Sequence, residues 1–341
     1  MDAIYFEVTP YRAPAWLPGG HLQTIWPALY ARRFVGLRPR WRRERWDTPD
    51  GDFIDVDWLV TAPAAGAPLL VLFHGLEGSA RSHYAESFAG WTRQHGLAMA
   101  VPHFRGCSGE INRAPRAYHS GDHVEVDWML RRLAQAQAAR GGGRLLAVGV
   151  SLGGNALLRW AGESGESARQ VVAAVAAVCS PLDLAAGGHA IGRGFNRQVY
   201  NRMFLRTMKA KARAKLAQHP GLFDARRLAA ARDLYAFDDL FTAPLHGFQG
   251  VEDYWRRASA RPHLSAIRVP ALALNARNDP FVPAASLPRA DQVGPWLTLW
   301  QPDEGGHVGF AQGAWPGHVM WLPQAVGGWL LAAPSFDARL G

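Results

Sequence analysis

The chain has 341 residues, of which 48% are apolar, and its two cysteines are too few for a disulfide framework. No run of eighteen apolar residues occurs, which argues against a membrane-spanning helix. The polar, proline-punctuated residues 1–16 lack the apolar core of a secretory signal. We therefore expect a cytoplasmic globular protein with a large core, while the net charge of +9 leaves a phosphate-bearing partner open.

Apolar runs of strand length alternate with amphipathic stretches along most of the chain. A hairpin of two strands is predicted around Pro49-Asp50-Gly51, and further strands are predicted where apolar runs are bounded by turn residues. The predicted strands are residues 42–46, 53–60, 69–73, 97–101, 145–150, 171–178, 269–275 and 296–301. The predicted helices are residues 81–95, 121–139, 155–163 and 322–332. This alternation predicts an α/β fold with a mostly parallel eight-stranded sheet and helices on both faces.

The segment Gly149-Val150-Ser151-Leu152-Gly153 has the G-x-S-x-G pattern of a nucleophile elbow. The pattern alone is weak, but here a predicted strand ends before the serine and a predicted helix follows it. Gly153 and Gly154 leave room for the helix to pack closely against the strand. We therefore predict that Ser151 is a nucleophile; the alternative is a strand-to-helix turn with an incidental serine.

A serine hydroxyl needs a base, and the base needs an orienting group. Asp279 follows the seventh predicted strand, and His307 follows the eighth in a glycine-rich loop. The order serine, aspartate, histidine is the one that this architecture uses. Asp303 and Glu304 remain alternative acids, although a side chain so close in sequence reaches the far ring nitrogen of His307 with difficulty, which favours Asp279.

The third predicted strand ends in His74-Gly75-Leu76-Glu77-Gly78-Ser79. In an acyl-transfer site, the backbone amides of Leu76 and Leu152 are expected to stabilise an oxyanion. No spacing typical of zinc ligands occurs, so we expect neither a metal nor a cofactor. These residues together predict acyl transfer through Ser151, in which the serine attacks an acyl carbonyl.

Residues 180–267 are too long for a simple crossover between two strands. Helical patterns near 195–218 and 224–235 predict a helical cap, so the predicted domains are a core of residues 1–179 and 268–341 and a cap of residues 180–267. Residues 1–40 are expected to pack on the core. The cap aromatics form either a slot over Ser151, closed by helix 195–218, or the cap's own core: Phe195, Tyr200, Phe204, Phe223, Tyr235 and Phe237.

The chain resembles the YheT-like branch of the α/β-hydrolases from about residue 14 to residue 310. The matching segments are Trp16-Leu17-Pro18-Gly19-Gly20-His21-Leu22-Gln23-Thr24, residues 74–79, 103–109, 237–239, 242–244, 247–248, 253–254 and 306–310. The resemblance implies a serine esterase that acts on a small-molecule ester, with relatives active on carboxylic esters, some of them lipid esters. It carries the triad roles to Ser151, Asp279 and His307 and the oxyanion roles to Leu76 and Leu152.

Two points of that resemblance need comment. Asn278 stands where relatives often carry a second acid, and an amide cannot serve as a carboxylate. The His21-Leu22-Gln23-Thr24 segment has no catalytic role that follows from its residues, and we expect it to pack against the hydrolase body. Besides the esterase, two alternatives remain: an acyltransferase or perhydrolase with the same triad, and a non-catalytic binding protein with this fold.

Basic residues are concentrated in two clusters. The second lies in a predicted helix from Arg202 to Lys215, and the first contains Arg32, Arg33, Arg38, Arg40, Arg42, Arg43 and Arg45. Alternation in the first and helical spacing in the second predict solvated faces of an edge strand and a helix. We expect no nucleic-acid partner, whereas weak association with an anionic membrane surface or lipid substrate remains open.

Overall fold

The structure, a computed structural model, describes residues 10–333. Its centre is one eight-stranded sheet in the order β1-β2-β4-β3-β5-β6-β7-β8. Strand β2 runs antiparallel to both β1 and β4, and all other neighbours are parallel. The strands are β1 Trp41–Asp47, β2 Phe53–Leu59, β3 Leu69–Phe73, β4 Ala98–Pro102, β5 Leu145–Val150, β6 Ala174–Val178, β7 Ala271–Leu274 and β8 Leu297–Trp300. The predicted mostly parallel sheet of an α/β fold is confirmed.

Helices cover both faces of the sheet. The α-helices of six residues or more are α1 Gly19–Leu29, α2 His83–Gln94, α3 His123–Ala139, α4 Leu152–Ser164, α5 Leu184–Ile191, α6 Arg202–Gln218, α7 Ala225–Ala230, α8 Val251–Ala258 and α9 Trp321–Ala332. Short helical segments are Gly165–Gln170, Gly194–Asn196, Arg197–Asn201, Leu234–Phe237, Asp238–Thr242, Ala243–Leu245, Arg261–Ala266, Ala284–Ser286 and Ala290–Gln292. Within residues 10–333, no helix combines the length and apolarity needed to cross a membrane.

The two faces of β3 show why these residues form the centre of the sheet. All five residues of β3 are buried, and successive side chains enter opposite cores. Leu69, Val71 and Phe73 belong to the core under α3 and α4, whereas Leu70 and Leu72 belong to the core under α2 and α9. A strand buried on both faces needs an unbroken apolar run, which is the pattern the sequence shows.

Between β6 and β7 the chain forms a group of helices with a small core of its own. The segments Gly194–Asn196 and Arg197–Asn201 lead directly into α6. Leu205 and Met208 of α6 pack with Leu228, Phe237 and Phe241 from the rest of this group. We call this helical group, residues 180–267, the cap.

Helix α1 is the main element that the sequence pattern missed. It begins with two glycines and contains Pro27, residues that disfavour helices. Its position follows from tertiary contact, because a Cβ added at Gly20 would overlap the carbonyl group of Asn278. Helix α4 also begins earlier than predicted, at Leu152, directly after the elbow serine.

Candidate active site

Ser151 occupies the sharp turn between β5 and α4. Its φ of 53° and ψ of −119° lie in a region that L-residues rarely adopt. The backbone amide of Ser151 donates to the carbonyl of Val178 on β6 at 2.8 Å, which fixes the turn to the sheet. The side chain of Ser151 lines a large cleft beneath the cap.

The glycines around the serine are required by close backbone contacts. A Cβ at Gly149 would overlap the backbone of Gly153 and Gly154, and a Cβ at Gly153 would overlap the carbonyls of Phe73 and His74. Strand β5, strand β3 and the start of α4 therefore approach each other through backbone alone. This packing holds the serine in its strained conformation.

The structure brings Ser151, Asp279 and His307 together in a hydrogen-bonded chain. His307 Nε2 lies 3.1 Å from Ser151 Oγ, and His307 Nδ1 lies 2.8 Å from Asp279 Oδ2. The other carboxylate oxygen of Asp279 accepts from the backbone amides of Phe281 at 2.7 Å and Val282 at 3.3 Å. The Asp279 side chain is fully buried, and these contacts hold one carboxylate oxygen towards the imidazole.

The two alternative acids lie elsewhere. The Asp303 side chain is 94% exposed and lies 3.7 Å from the guanidinium of Arg277. Glu304 accepts from the backbone amide of Ala13 at 3.1 Å and from Gln23 Nε2 at 3.4 Å. Within the described part of the chain, Asp279 is the carboxylate that contacts His307.

Leu76 and Leu152 both border the cleft beside Ser151 and His307. The loop that carries Leu76 is fixed on both sides, because Gly75 N donates to Tyr84 Oη at 2.9 Å and Glu77 N donates to Tyr118 Oη at 3.0 Å. Among residues 10–333, neither the Leu76 amide nor the Leu152 amide has a hydrogen-bond acceptor. Both donors are therefore free to serve a ligand.

Gln23 is a site residue that sequence reasoning missed. It is fully buried, and its Oε1 accepts from Asn278 Nδ2 at 2.8 Å and from the backbone amide of Gly305 at 2.9 Å. Asn278 precedes Asp279, and Gly305 precedes His307 by two residues. One glutamine of α1 thus joins the loops that carry the acid and the base.

Thr24 makes a second contact from α1 to the same site. Its Oγ1 accepts from the backbone amide of His307 at 2.9 Å and donates to the carbonyl of Gly20 at 2.7 Å. Asn278 Oδ1 accepts from the backbone amide of Gly306 at 2.9 Å, which adds a direct bond between the two loops. The signal that pointed here was the His21-Leu22-Gln23-Thr24 segment, for which the sequence offered no catalytic role and only the expectation that it packs against the hydrolase body.

Cys179, Asp279 and His307 are the set within residues 10–333 whose donor atoms lie within 4.8 Å of one another. A metal would need the thiolate, but burial and the nearby Asp279 raise the pKa of Cys179 well above its usual value. The Cys179 sulfur also accepts from the backbone amide of Val308 at 3.2 Å, and His307 Nδ1 already faces Asp279. The donor set fits a hydrogen-bonded thiol better than a metal ligand.

The cleft encloses about 1140 Å³, including the open solvent at its mouth. Its cap side is mainly apolar and is lined by Leu184, Ile191, Phe204, Met208, Leu234, Phe237, Phe241 and Trp255. Of the six cap aromatics singled out from the sequence, Phe204 and Phe237 line this cleft. Phe195 is 51% exposed and lies outside it, so of the two alternatives for the cap aromatics, the slot over Ser151 does not hold for Phe195.

Ionisable groups in the cleft walls already have protein partners. Lys211 of α6 lies 2.8 Å from Glu77, which joins the cap to the loop after β3. Lys215 Nζ donates to the carbonyls of Asn112 and Ala114, and burial lowers its pKa to about 8. Burial raises the pKa of Asp238 to about 6, although its carboxylate accepts from neighbouring side chains. The space beside Ser151 therefore favours an apolar ligand.

Comparisons with known proteins show the family of the chain. The model of the alpha/beta hydrolase fold family matches residues 68–314. The Escherichia coli (strain K12) protein named "Putative esterase YheT" is 40% identical over 313 residues, 91% of this chain and 89% of that protein. Human phospholipase ABHD3 is 26% identical over 315 residues, 90% of this chain and 75% of that protein.

Solved structures show the same fold. The esterase Pf2001 of Pyrococcus furiosus matches with a TM-score of 0.52 at 16% identity, covering 88% of this chain and 97% of that chain. At this identity the match concerns the fold alone.

Proposed function

Because the chain belongs to the α/β-hydrolase family, in its YheT-like branch, we propose that it is a serine hydrolase that cleaves carboxylic esters through an acyl-enzyme on Ser151. The observation that carries this proposal is the hydrogen-bonded chain from Asp279 through His307 to Ser151, which opens into an apolar cleft. The activity is thus argued from the site, and the fold adds to it by analogy.

The geometry supports acylation as the first step. In neutral His307, Nδ1–H donates a hydrogen bond to Asp279, so Nε2 is free to accept the Ser151 proton. Ser151 Oγ then bonds to the ester carbonyl carbon, and the carbonyl oxygen becomes an oxyanion that accepts from the amides of Leu76 and Leu152. Removal of one such donor typically costs about 3 kcal/mol of transition-state stabilisation.

Collapse of this intermediate breaks the bond to the alcohol oxygen, which takes the proton from His307 Nε2. The acyl group then remains on Ser151 as an ester. Water attacks that ester as it gives a proton to His307, and the proton passes to Ser151 Oγ when the carboxylic acid leaves. Asp279 stays ionised throughout and stabilises the protonated imidazole.

The cleft favours an ester with an apolar acyl chain. Phe204, Met208 and Phe237 from the cap face the same space as Ser151, and each methylene that is buried there contributes up to about 0.8 kcal/mol. The relative named phospholipase ABHD3 supports a lipid ester as the substrate class.

Incubation of the purified protein with p-nitrophenyl and glycerol esters of increasing chain length tests this function. Mass spectrometry of all acyl products should show free carboxylic acid in wild type and none above background in Ser151→Ala. If most acyl groups appear on an added alcohol or on peroxide, the protein is an acyltransferase or perhydrolase. If wild type and Ser151→Ala convert every ester equally slowly, the proposal is wrong.

A further inference from the structure

The outer face of the cap combines cationic and apolar side chains. Positions 195, 199, 202, 206, 209 and 213 follow one another at intervals of three or four residues, and position 203 lies four residues after 199, so the continuous helical stretch from Gly194 to Gln218 presents them on one side. We call this face, together with Arg197 and Arg232, which border the same depression, the cap surface. Its members are Phe195, Arg197, Val199, Arg202, Met203, Arg206, Lys209, Arg213 and Arg232.

Six cations of the cap surface lack acidic partners. They border a solvent-open depression of about 980 Å³, and across residues 10–333 none of them forms an ion pair. They are Arg197, Arg202, Arg206, Lys209, Arg213 and Arg232. Partial burial and the neighbouring cations Arg213 and Arg232 lower the pKa of Lys209, as expected where like charges gather.

The other basic cluster of the chain behaves differently. On edge strand β1, Arg43 and Arg45 lie 2.8 Å from the buried carboxylates of Asp57 and Asp55 on β2. Arg33 and Arg38 likewise share Glu86. These four arginines are held by the protein's own acids, and Arg42 lies 3.6 Å from Glu44. Most of the first cluster is therefore compensated, whereas the six cations of the cap surface are not.

Apolar side chains are exposed beside these cations. Phe195 is 51% exposed, Val199 38% and Met203 54%. They lie four residues apart, one turn of helix, and form an apolar stripe along the same face as Arg202 and Arg206. A helix that exposes apolar residues and cations together has the composition of an interfacial helix.

We propose that the cap surface docks on a bilayer that contains anionic phospholipid. Lipid phosphates would be the anionic partners that the six cations lack within the protein. Phe195, Val199 and Met203 would leave water at the boundary between the headgroups and the acyl chains. A nucleic acid would also neutralise the cations, but it would leave the apolar stripe exposed. The stripe therefore favours a lipid surface.

Docking would also place a wall of the cleft next to lipid. Phe204 and Met208, on the inner side of the same helical stretch, line the cleft that contains Ser151. The two faces of one helix would then contact the bilayer and the bound ligand. Binding to the bilayer does not depend on ester hydrolysis and is tested separately from it.

Co-sedimentation with sucrose-loaded vesicles tests the proposal on the full chain carrying Ser151→Ala, which leaves the lipid intact. Vesicles of phosphatidylcholine and phosphatidylglycerol in equal parts should bind the protein at low salt. Pure phosphatidylcholine vesicles should bind it far less. Binding should fall steeply towards 1 M salt, where the Debye length is about 3 Å.

Substitutions test whether the cap surface is the part of the protein that binds the vesicles. Arg202→Gln/Arg206→Gln/Arg213→Gln should lower the partition coefficient about 100-fold, since each basic residue near an anionic membrane contributes about fivefold. The matched control Arg42→Gln/Arg131→Gln/Arg256→Gln removes three exposed charges elsewhere and should change it less than threefold.

Phe195→Ser/Met203→Ser tests the apolar half and should weaken binding about tenfold with the salt dependence unchanged. Circular dichroism confirms that each variant is folded. The proposal would be overturned if the cap-surface triple variant and its matched control lost vesicle binding equally, or if the protein bound neutral and anionic vesicles equally. An effect of the arginines without any effect of Phe195 and Met203, together with tight binding of a short DNA duplex, would assign the surface to nucleic acid instead.

Discussion

The contacts of Asp279 explain why its carboxylate, and not that of Asp303, can orient His307. The amides of Phe281 and Val282 hold one oxygen, and the second oxygen faces the imidazole at 2.8 Å. In Asp279→Asn the amide nitrogen would face His307 Nδ1 and force the ring proton onto Nε2, which then cannot accept from Ser151.

We therefore predict that Asp279→Asn lowers kcat by about 10⁴-fold while the fold is retained. The matched control, Asp303→Asn, should stay within a factor of two, because the Asp303 side chain is 94% exposed. Steady-state kinetics on one soluble ester compares the two. The opposite ranking would assign the orienting role to Asp303.

His74 has a structural role that produces a pH dependence. It is fully buried; its Nδ1 faces the carbonyl of Gly75 at 2.8 Å, and its Nε2 faces the amide of Phe104 at 3.2 Å. The neutral ring donates to the first and accepts from the second, so a second ring proton would meet an N–H group. Burial, with a smaller contribution from His103, lowers the pKa of His74 to about 3.

Because this pKa is lower in the folded state than the unfolded value of about 6.5, the unfolded chain takes up the proton first as pH falls. The contribution of His74 to stability is complete above pH 6.5 and is lost towards pH 3, at up to about 1.4 kcal/mol per pH unit. Urea unfolding of wild type and His74→Gln should show a stability difference that narrows from pH 7 to pH 4. A difference that is constant or widens over this range would contradict the neutral-ring assignment.

Helix α1 connects two loops that lie far apart in the chain. Gln23 and Asn278 are separated by 255 positions in sequence but lie 2.8 Å apart at their side-chain atoms. Thr24 adds the bond to the backbone amide of His307. The helix thus acts on the site through the positions of the acid and base loops.

Thr24→Val keeps the shape of this side chain but removes the acceptor for the backbone N–H of His307. A buried amide without a hydrogen-bond partner destabilises the folded protein by about 1–3 kcal/mol. We predict that Thr24→Val lowers kcat 10- to 100-fold with KM nearly unchanged, because a shift of about 1 Å at a catalytic group can lower the rate 100-fold. Thr24→Ser keeps the hydroxyl acceptor and should retain activity. A loss of melting temperature in Thr24→Val with wild-type kcat would show that the bond is structural only.

At the scale of the whole molecule, the parts predictable from sequence were those with local signals. The buried run of β3 and the Gly149-to-Gly153 elbow are contiguous, and the turn after each strand marks the edge where Asp279 and His307 lie. The role of Gln23 could not be predicted from a local pattern, because tertiary packing brings it to the loops that carry the acid and the base. Likewise, Phe195 and Phe204 look alike in sequence, and only the orientation of the cap distinguishes them.

That orientation leads to a prediction about chain-length preference. Phe204 lines the cleft, whereas Phe195 lies outside it. Phe204→Ala should alter the chain-length optimum of kcat/KM for soluble p-nitrophenyl esters and lower activity towards longer chains, because each acyl methylene that is no longer buried forfeits up to about 0.8 kcal/mol. Phe195→Ala should leave the profile unchanged with these soluble esters. If both variants keep the wild-type profile, the cap side of the cleft does not hold the acyl chain.

The central claim is that Ser151 is a nucleophile activated by His307. Reaction with a fluorophosphonate, followed by intact-mass analysis and peptide mapping, tests it most directly. We predict one adduct per chain, located on Ser151, that forms much more slowly in His307→Ala and is absent in Ser151→Ala. An adduct on a different residue, or full ester hydrolysis by Ser151→Ala, would contradict the claim.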